Sequence, residues 1–231
     1  MLAIIPARGG SKGLPHKNIK NLNGLPLIAH TIWEAKKSKH ITKIIVSTDS
    51  GEIAALAMRY GAEVPFLRPA YLAEDNSLAV DNYIYTIEKL SVDTNSDIQN
   101  FVVLQPTSPL RNVEDIDAAI ELFNSKSANC VLSVTDYPHP VEWAQTMNEE
   151  GVLSSYFPNL DIIKNRQELK KALLPNGAIY VLNYNFLKTQ RSYFSEKTYG
   201  YYMPPIRSVD IDNQLDFDFA EFLFQQKTSN F

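Results

Sequence analysis

Thiol chemistry is almost missing from this sequence: Cys130 is its one cysteine. That excludes an internal disulfide and a cysteine-built zinc cluster, and a reduced Cys130 reads as a small core hydrophobe. No apolar run approaches the ~18 residues of a membrane-spanning helix. The first residues, Met1-Leu2-Ala3-Ile4-Ile5-Pro6-Ala7-Arg8, have neither a basic n-region nor a secretory h-region. The expectation is therefore a cytoplasmic protein with no membrane partner. An excess of charge of one sign is also lacking. Twenty-two Lys and Arg against 26 Asp and Glu leave a net charge of −4, and no long block of like charge occurs. This argues against a nucleic-acid partner or a polybasic membrane surface. Internal repeats and low-complexity tracts are absent too.

What is present is the composition of an ordinary globular domain: 231 residues, 45% hydrophobic and 21% charged. We read residues 1–231 as a single domain, with enough chain for a substantial core. Short runs rich in Ile and Val alternate with longer helical patterns at Leu2–Ala7, Leu27–Lys37, Lys43–Thr48, Glu52–Tyr60, Val64–Leu67, Ala79–Leu90, Phe101–Gln105, Glu114–Asn124 and Cys130–Val134. Near-continuous apolar runs such as Phe101-Val102-Val103-Leu104 imply burial on both faces, the mark of a mostly parallel sheet covered by helices. The fold class is α/β, a Rossmann-like doubly wound sheet. The rhythm breaks at Tyr137-Pro138-His139-Pro140, and the stretch 137–171 reads as a small inserted lobe. A strand returns at Gly177–Leu182, and an amphipathic helix near Leu215–Gln226 ends the chain.

Ligands of open parallel sheets gather at the carboxyl ends of strands. Arg8-Gly9-Gly10-Ser11-Lys12-Gly13 follows the first strand directly, and glycine lets backbone N–H groups turn toward an anion at little steric cost. Neither standard phosphate-loop template fits. A dinucleotide fingerprint needs Gly where Arg8 stands, and a P-loop begun at Gly9 needs Gly where Leu14 stands. The loop instead concentrates Arg8, Lys12 and Lys17, enough charge to offset much of a triphosphate's; a solvated basic loop is the bland alternative. Asp210 and Asp212 are one residue apart, so on an extended segment both carboxylates face one side. Such a pair suits Mg²⁺, which keeps several waters and is completed by substrate phosphates, although an isolated Asp-x-Asp also occurs in solvated turns. Gln105 ends the fourth core strand in this count, and Pro106 and Pro109 make the loop after it stiff.

The run Ile4–Gly13 followed by Lys17-Asn18 resembles the acylneuraminate cytidylyltransferases, the CMP-sialic acid synthetases. Further family motifs follow in order: Leu67-Arg68-Pro69 with Leu72-Ala73 and Asp75, Gln105-Pro106-Thr107-Ser108-Pro109-Leu110-Arg111, Pro175-Asn176-Gly177-Ala178-Ile179-Tyr180, and Asp210-Ile211-Asp212. Together they cover nearly the whole chain. The resemblance implies a nucleotide-diphospho-sugar-transferase fold and a Mg²⁺-dependent reaction of CTP with N-acetylneuraminate, or another nonulosonate such as N,N'-diacetyllegionaminate. In it the anomeric oxygen attacks the α-phosphorus in line and pyrophosphate leaves. The resemblance assigns Arg8 and Lys17 to the triphosphate with Gly9, Lys12 and Asn18 assisting, and Asp212, then Asp210, to the metal. Arg8, Lys17 and Asp212 are the catalytic candidates. Arg68 and Ser77 are candidates for the nucleobase, though Arg68 could instead pair with Glu74 or Asp75. Gln105, Tyr180 and Arg166 are candidates for the acid sugar, with a loop-bracing Gln and a core Tyr as alternatives. By resemblance, too, residues 137–171 form a dimerisation lobe of a homodimer. Leu174 and Glu142 depart from the family by removing positive charge near the sugar, which opens the identity of the sugar. A non-catalytic nucleotide-binding protein on the same fold is the reading from another class.

Overall fold

The computed structural model describes residues 1–157 and 169–229. In chain order the elements are β1 (Leu2–Pro6), the short pair β2 (Asn21–Leu22) and β3 (Leu25–Pro26), α1 (Leu27–Lys37), β4 (Lys43–Ser47), α2 (Gly51–Arg59) and α3 (Ala79–Thr94). Then come β5 (Asn100–Leu104), α4 (Val113–Lys126), β6 (Cys130–Asp136), the hairpin β7 (Gln145–Met147) and β8 (Leu153–Ser155), β9 (Leu173–Asn183), α5 (Tyr184–Gln190), β10 (Thr198–Tyr202) and α6 (Gln214–Ser229). The central sheet has six strands in the order β10-β6-β9-β5-β1-β4. All its pairings are parallel except those of β9, which runs antiparallel to both β5 and β6. The reversal brings the start of β9, at Asn176 and Gly177, to the edge where the parallel strands end.

The alternation of side chains along each strand divides the core into two layers. Ala3, Ile5, Val46, Val102 and Leu104 face the layer that includes α1, α2 and α4. Leu2, Ile4, Ile45, Phe101 and Val103 face α3 and α5. A third cluster joins Leu14, Leu22, Leu27 and Ile211 to Phe217 and Ala220 of α6. Leu14 follows the glycine loop and Ile211 separates the two aspartates. Burying each contributes about 2 kcal/mol, so this cluster anchors both loops from behind.

Local chemistry sets the helix starts. Ser50 caps α2 by accepting from the Ile53 N–H, and Asn112 with Asp115 forms a capping box at α4. The run Val64–Leu67 is not a strand: only Glu63 bridges to Ile45, because Pro65 removes a ladder donor. Gln105 therefore follows the third strand of the main sheet in chain order, not the fourth. The short strands β2, β3, β7 and β8, and the larger elements β10 and α5, had no sequence expectation. The excursion between β6 and β9 carries the β7–β8 hairpin, on which Met147, Val152, Leu153 and Tyr156 are exposed. Among the described residues no helix is long and apolar enough to cross a membrane.

Candidate active site

A cleft of about 600 Å³ opens at the carboxyl edge of β1 and β5. Of the expected site residues it is lined by Arg8, Lys12, Lys17, Asn18, Arg68, Ser77, Gln105 and Asp212. Residues distant in the chain meet here because β1, β4 and β5 are adjacent and parallel. Each delivers its following loop to the same edge.

The glycine loop is held by side chains rather than by left-handed backbone. Gly9 donates its N–H to Asp49 Oδ1 (2.9 Å), and the side chain of Asn18 donates to the Arg8 carbonyl (3.0 Å). At Gly13 a Cβ would stand 2.3 Å from the Asp212 carbonyl oxygen, so only glycine allows the loop to lie against the 210–212 segment. The same segment is tied down by Lys17, whose Nζ donates to the Ile211 carbonyl (2.5 Å) and to Asp212 Oδ1 (3.2 Å). The Ile211 N–H in turn donates to the Thr107 carbonyl (2.8 Å).

Ile211 is fully buried and Asp212 is exposed, while the Asp210 carboxyl is turned inward toward Thr107 and Gly177. Desolvation pushes the Asp210 carboxyl above the usual range; Thr107 counters this by hydrogen bonding, and Asp212 adds to it by like charge. Two carboxylates held this close suit a hard divalent cation such as Mg²⁺, completed by phosphate oxygens and water. Among the described residues no group of three His, Cys, Asp or Glu side chains could hold a metal by itself. The donor set thus fits an ion shared with a phosphorylated substrate.

On the opposite wall Asp75 joins the two remaining cations of the loop. Arg8 Nη1 lies 3.0 Å from Asp75 Oδ1, and Lys12 Nζ lies 2.5 Å from Asp75 Oδ2. Lys12 first, then Arg8, holds the Asp75 carboxyl below its ordinary range. Ser77 donates its hydroxyl to the Tyr71 carbonyl (2.6 Å), which spends that donor within its own loop.

Arg68 is buried and pairs with neither Glu74 nor Asp75. Its nearest carboxylate is Asp49 Oδ1, 3.5 Å from Nη2. Among the described residues its Nε and Nη2 have no hydrogen-bond partner. Burial lowers its pKa, Asp49 opposes that shift, and Arg8 reinforces it.

Gln105 shares the wall of the cleft with Tyr83, a fully buried tyrosine whose hydroxyl is pushed well above its ordinary range by burial. Gly177 has φ of +77°, and a Cβ there would come 3.1 Å from Gln105 Oε1 and 3.5 Å from Asp210 Oδ2. Gln105, the sequence candidate for the sugar, and Asp210, a sequence candidate for the metal, thus converge on one glycine. Behind them Arg111 is fully buried, donating from Nη1 to the Gln105 carbonyl (3.1 Å) and the Ala178 carbonyl (2.7 Å), and from Nη2 to Thr31 Oγ1 (2.7 Å).

Three expected residues do not line the cleft. Gly9 lies behind it, with its N–H turned to Asp49. Asp210 borders it through Thr107 and Gly177. Tyr180 sits in mid-strand with its ring 5.3 Å from that of Tyr193, in the layer that holds α3. Arg166 lies outside the described residues. Two residues escaped the sequence reading. Asp49 had a legible signal, since it follows the second parallel strand. Tyr83 had none, because with Val80, Ile84 and Ile87 it reads as the core stripe of a helix.

Comparison with known proteins agrees with this geometry. Residues 2–230 match the family described as Cytidylyltransferase. The chain is 38% identical over 229 residues to the CMP-N,N'-diacetyllegionaminic acid synthase of Legionella pneumophila, covering 97% of this chain and 96% of that protein. It is 36% identical to the N-acylneuraminate cytidylyltransferase of Escherichia coli over 98% of this chain, and spans about half of that longer protein, 52%. In fold it is similar to a CMP:2-keto-3-deoxy-manno-octonic acid synthetase solved with CTP. That similarity has a TM-score of 0.73 and 15% identity over 98% of both chains. A cation-lined cleft at the ends of parallel strands and a family match over nearly the full length lead to one conclusion: the chain belongs to the cytidylyltransferases, a family of nucleotidyltransferase enzymes.

Proposed function

We propose that this enzyme transfers the cytidylyl group of CTP to the anomeric hydroxyl of a nonulosonic acid, releasing pyrophosphate. The observation that carries this reading is the convergence of Arg8, Lys12 and Lys17 with Asp212 and Gln105 in one cleft. The anomeric oxygen forms a bond to the α-phosphorus as the bond between the α-phosphorus and the bridging oxygen breaks, and the hydroxyl proton passes to Asp210 or Asp212. Such a reaction is mostly positioning and charge stabilisation. Arg8 and Lys12 exchange Asp75 for triphosphate oxygens, since exposed ion pairs of this kind are worth only ~0–1 kcal/mol. Lys17 stabilises charge developing on the phosphates while bracing the aspartates. Arg68 contacts the nucleotide with its unpartnered N–H groups, and Gln105 orients the sugar. Asp210 and Asp212 would hold Mg²⁺, which supplies neutralisation of phosphate charge when bound. The protein acts as a homodimer through residues 137–171, whose exposed Met147, Leu153 and Tyr156 suit an interface.

N-acetylneuraminate is the sugar expected from the motifs. N,N'-Diacetyllegionaminate is the second reading, favoured by Leu174 and Glu142, which lack positive charge, and by the near full-length similarity to a legionaminic acid synthase. The test is pyrophosphate release with CTP and Mg²⁺ across N-acetylneuraminate, diacetyllegionaminate, pseudaminate and octulosonate, with a no-sugar control. Release only with a nonulosonate supports the class, and the preferred member names the substrate. Release with octulosonate alone, or with none, refutes it.

A further inference from the structure

Asp49 touches both halves of the nucleotide site, although it is not among the residues that line the cleft. Its backbone is held on each side. The Thr48 carbonyl accepts the Arg68 N–H (2.7 Å), Thr48 Oγ1 accepts the Ser50 N–H (3.1 Å), and Ser50 caps α2. From this fixed position the single atom Oδ1 accepts the Gly9 N–H at 2.9 Å and faces Arg68 Nη2 at 3.5 Å. The Asp49 side chain is only 26% exposed and that of Arg68 only 5%. A buried guanidinium needs a compensating charge. The other charged neighbour of Arg68 is Arg8, which repels it, and Glu74 and Asp75 do not reach it. Without the Asp49 charge nothing described here would keep Arg68 turned inward beside a second arginine.

We propose that Asp49 is a positioning residue for nucleotide binding. Its carboxylate orients Arg68 and at the same time fixes the glycine loop through Gly9, so that the base side and the triphosphate side of the site keep one spacing. The proposal rests on the reading of Arg68 as a nucleotide contact. It also explains the glycine at position 9, where a Cβ would press to 3.1 Å on Ser50 Cβ and to 3.6 Å on Asp49 Oδ2.

The two functions of the carboxylate can be separated. Asp49→Asn keeps an acceptor for Gly9 but loses the charge that holds Arg68, whereas Asp49→Ala loses both. We would titrate CTP with Mg²⁺ calorimetrically into the native protein, Asp49→Asn, Asp49→Ala, Arg68→Ala and the double variant Asp49→Asn/Arg68→Ala, with thermal unfolding of each as a control for folding. The expected result is that Arg68→Ala and Asp49→Asn each weaken CTP binding about tenfold, the size of one lost charge-assisted contact. Asp49→Ala weakens it further. In the Arg68→Ala background Asp49→Asn changes affinity less than about twofold, because coupled residues are not additive. An equal loss in both backgrounds, or none in Asp49→Asn while Arg68→Ala is impaired, would overturn the proposal alone. Normal CTP binding by Arg68→Ala would overturn the nucleotide role of Arg68 and the proposal with it.

Discussion

Replacing Lys17 by alanine tests the most heavily used cation of the site. Its side chain is 13% exposed, and its Nζ serves the Ile211 carbonyl and the Asp212 carboxylate at once while facing the cleft. Two losses follow, and they differ in kind. The structural one is a charge-assisted hydrogen bond to a partly buried carbonyl, worth ~1.5–3 kcal/mol. For a chain of this size each kcal/mol moves Tm by about 2–4 °C, so unfolding should begin roughly 3–12 °C earlier. The chemical one follows from the proposed function, in which Lys17 is an electrostatic stabiliser of transferred and leaving phosphates; removing such a group costs ~100-fold or more in turnover. The assay is pyrophosphate release at saturating CTP and sugar, run well below the lowered Tm, with circular dichroism to show that the variant is folded. Lys17→Met, which keeps the apolar stem, should lose the same factor in kcat. A folded variant turning over at near-native rate in saturating CTP would refute the role assigned to Lys17.

Gly13→Ala should lower Tm by several degrees and kcat at least ~10-fold, since backbone at the Asp212 carbonyl must move; differential scanning fluorimetry with the same rate assay would reveal an unaffected variant. Arg111→Leu leaves the Gln105 and Ala178 carbonyls and Thr31 without their buried donor, and should cost about 3 kcal/mol in urea unfolding. A loss under ~1 kcal/mol would show that water replaces the guanidinium. Cys130 is fully buried with its thiol pushed up to about 12, so at pH 8 it stays protonated and should resist maleimide until the protein unfolds in denaturant. Rapid labelling of the native protein would contradict that burial.

Periodicity and breakers in the chain were enough to predict α1, β4 and the core of β5, since an amphipathic stripe or an Ile-Val run buried on two faces needs no tertiary information to be recognised. Gly13 shows the limit of such reading. It was expected to serve a phosphate loop through backbone freedom, yet none of Gly9, Gly10 and Gly13 has positive φ. Glycine is required at 13 because the backbone of a segment about 200 positions later lies against it. Arg68 was expected as a nucleobase candidate, but its partner was not legible: Asp49 lies 19 positions earlier, and the two meet because the Arg68 N–H bonds the Thr48 carbonyl, while the parallel pairing of β1 with β4 brings the Gly9 loop to the same carboxylate.

The sequence by itself determined the alternating α/β pattern, the lone thiol, the basic loop after the first strand and the Asp-x-Asp pair, because these are properties of spacing and side-chain chemistry within short stretches. The reversed direction of β9, the assignment of Asp75 to Arg8 and Lys12, the burial of Tyr83 beneath Gln105 and the placing of Asp49 between Gly9 and Arg68 were decided by the tertiary structure alone. Each depends on segments far apart in the chain meeting, and which segments meet depends on strand order and direction rather than on any residue's local preference.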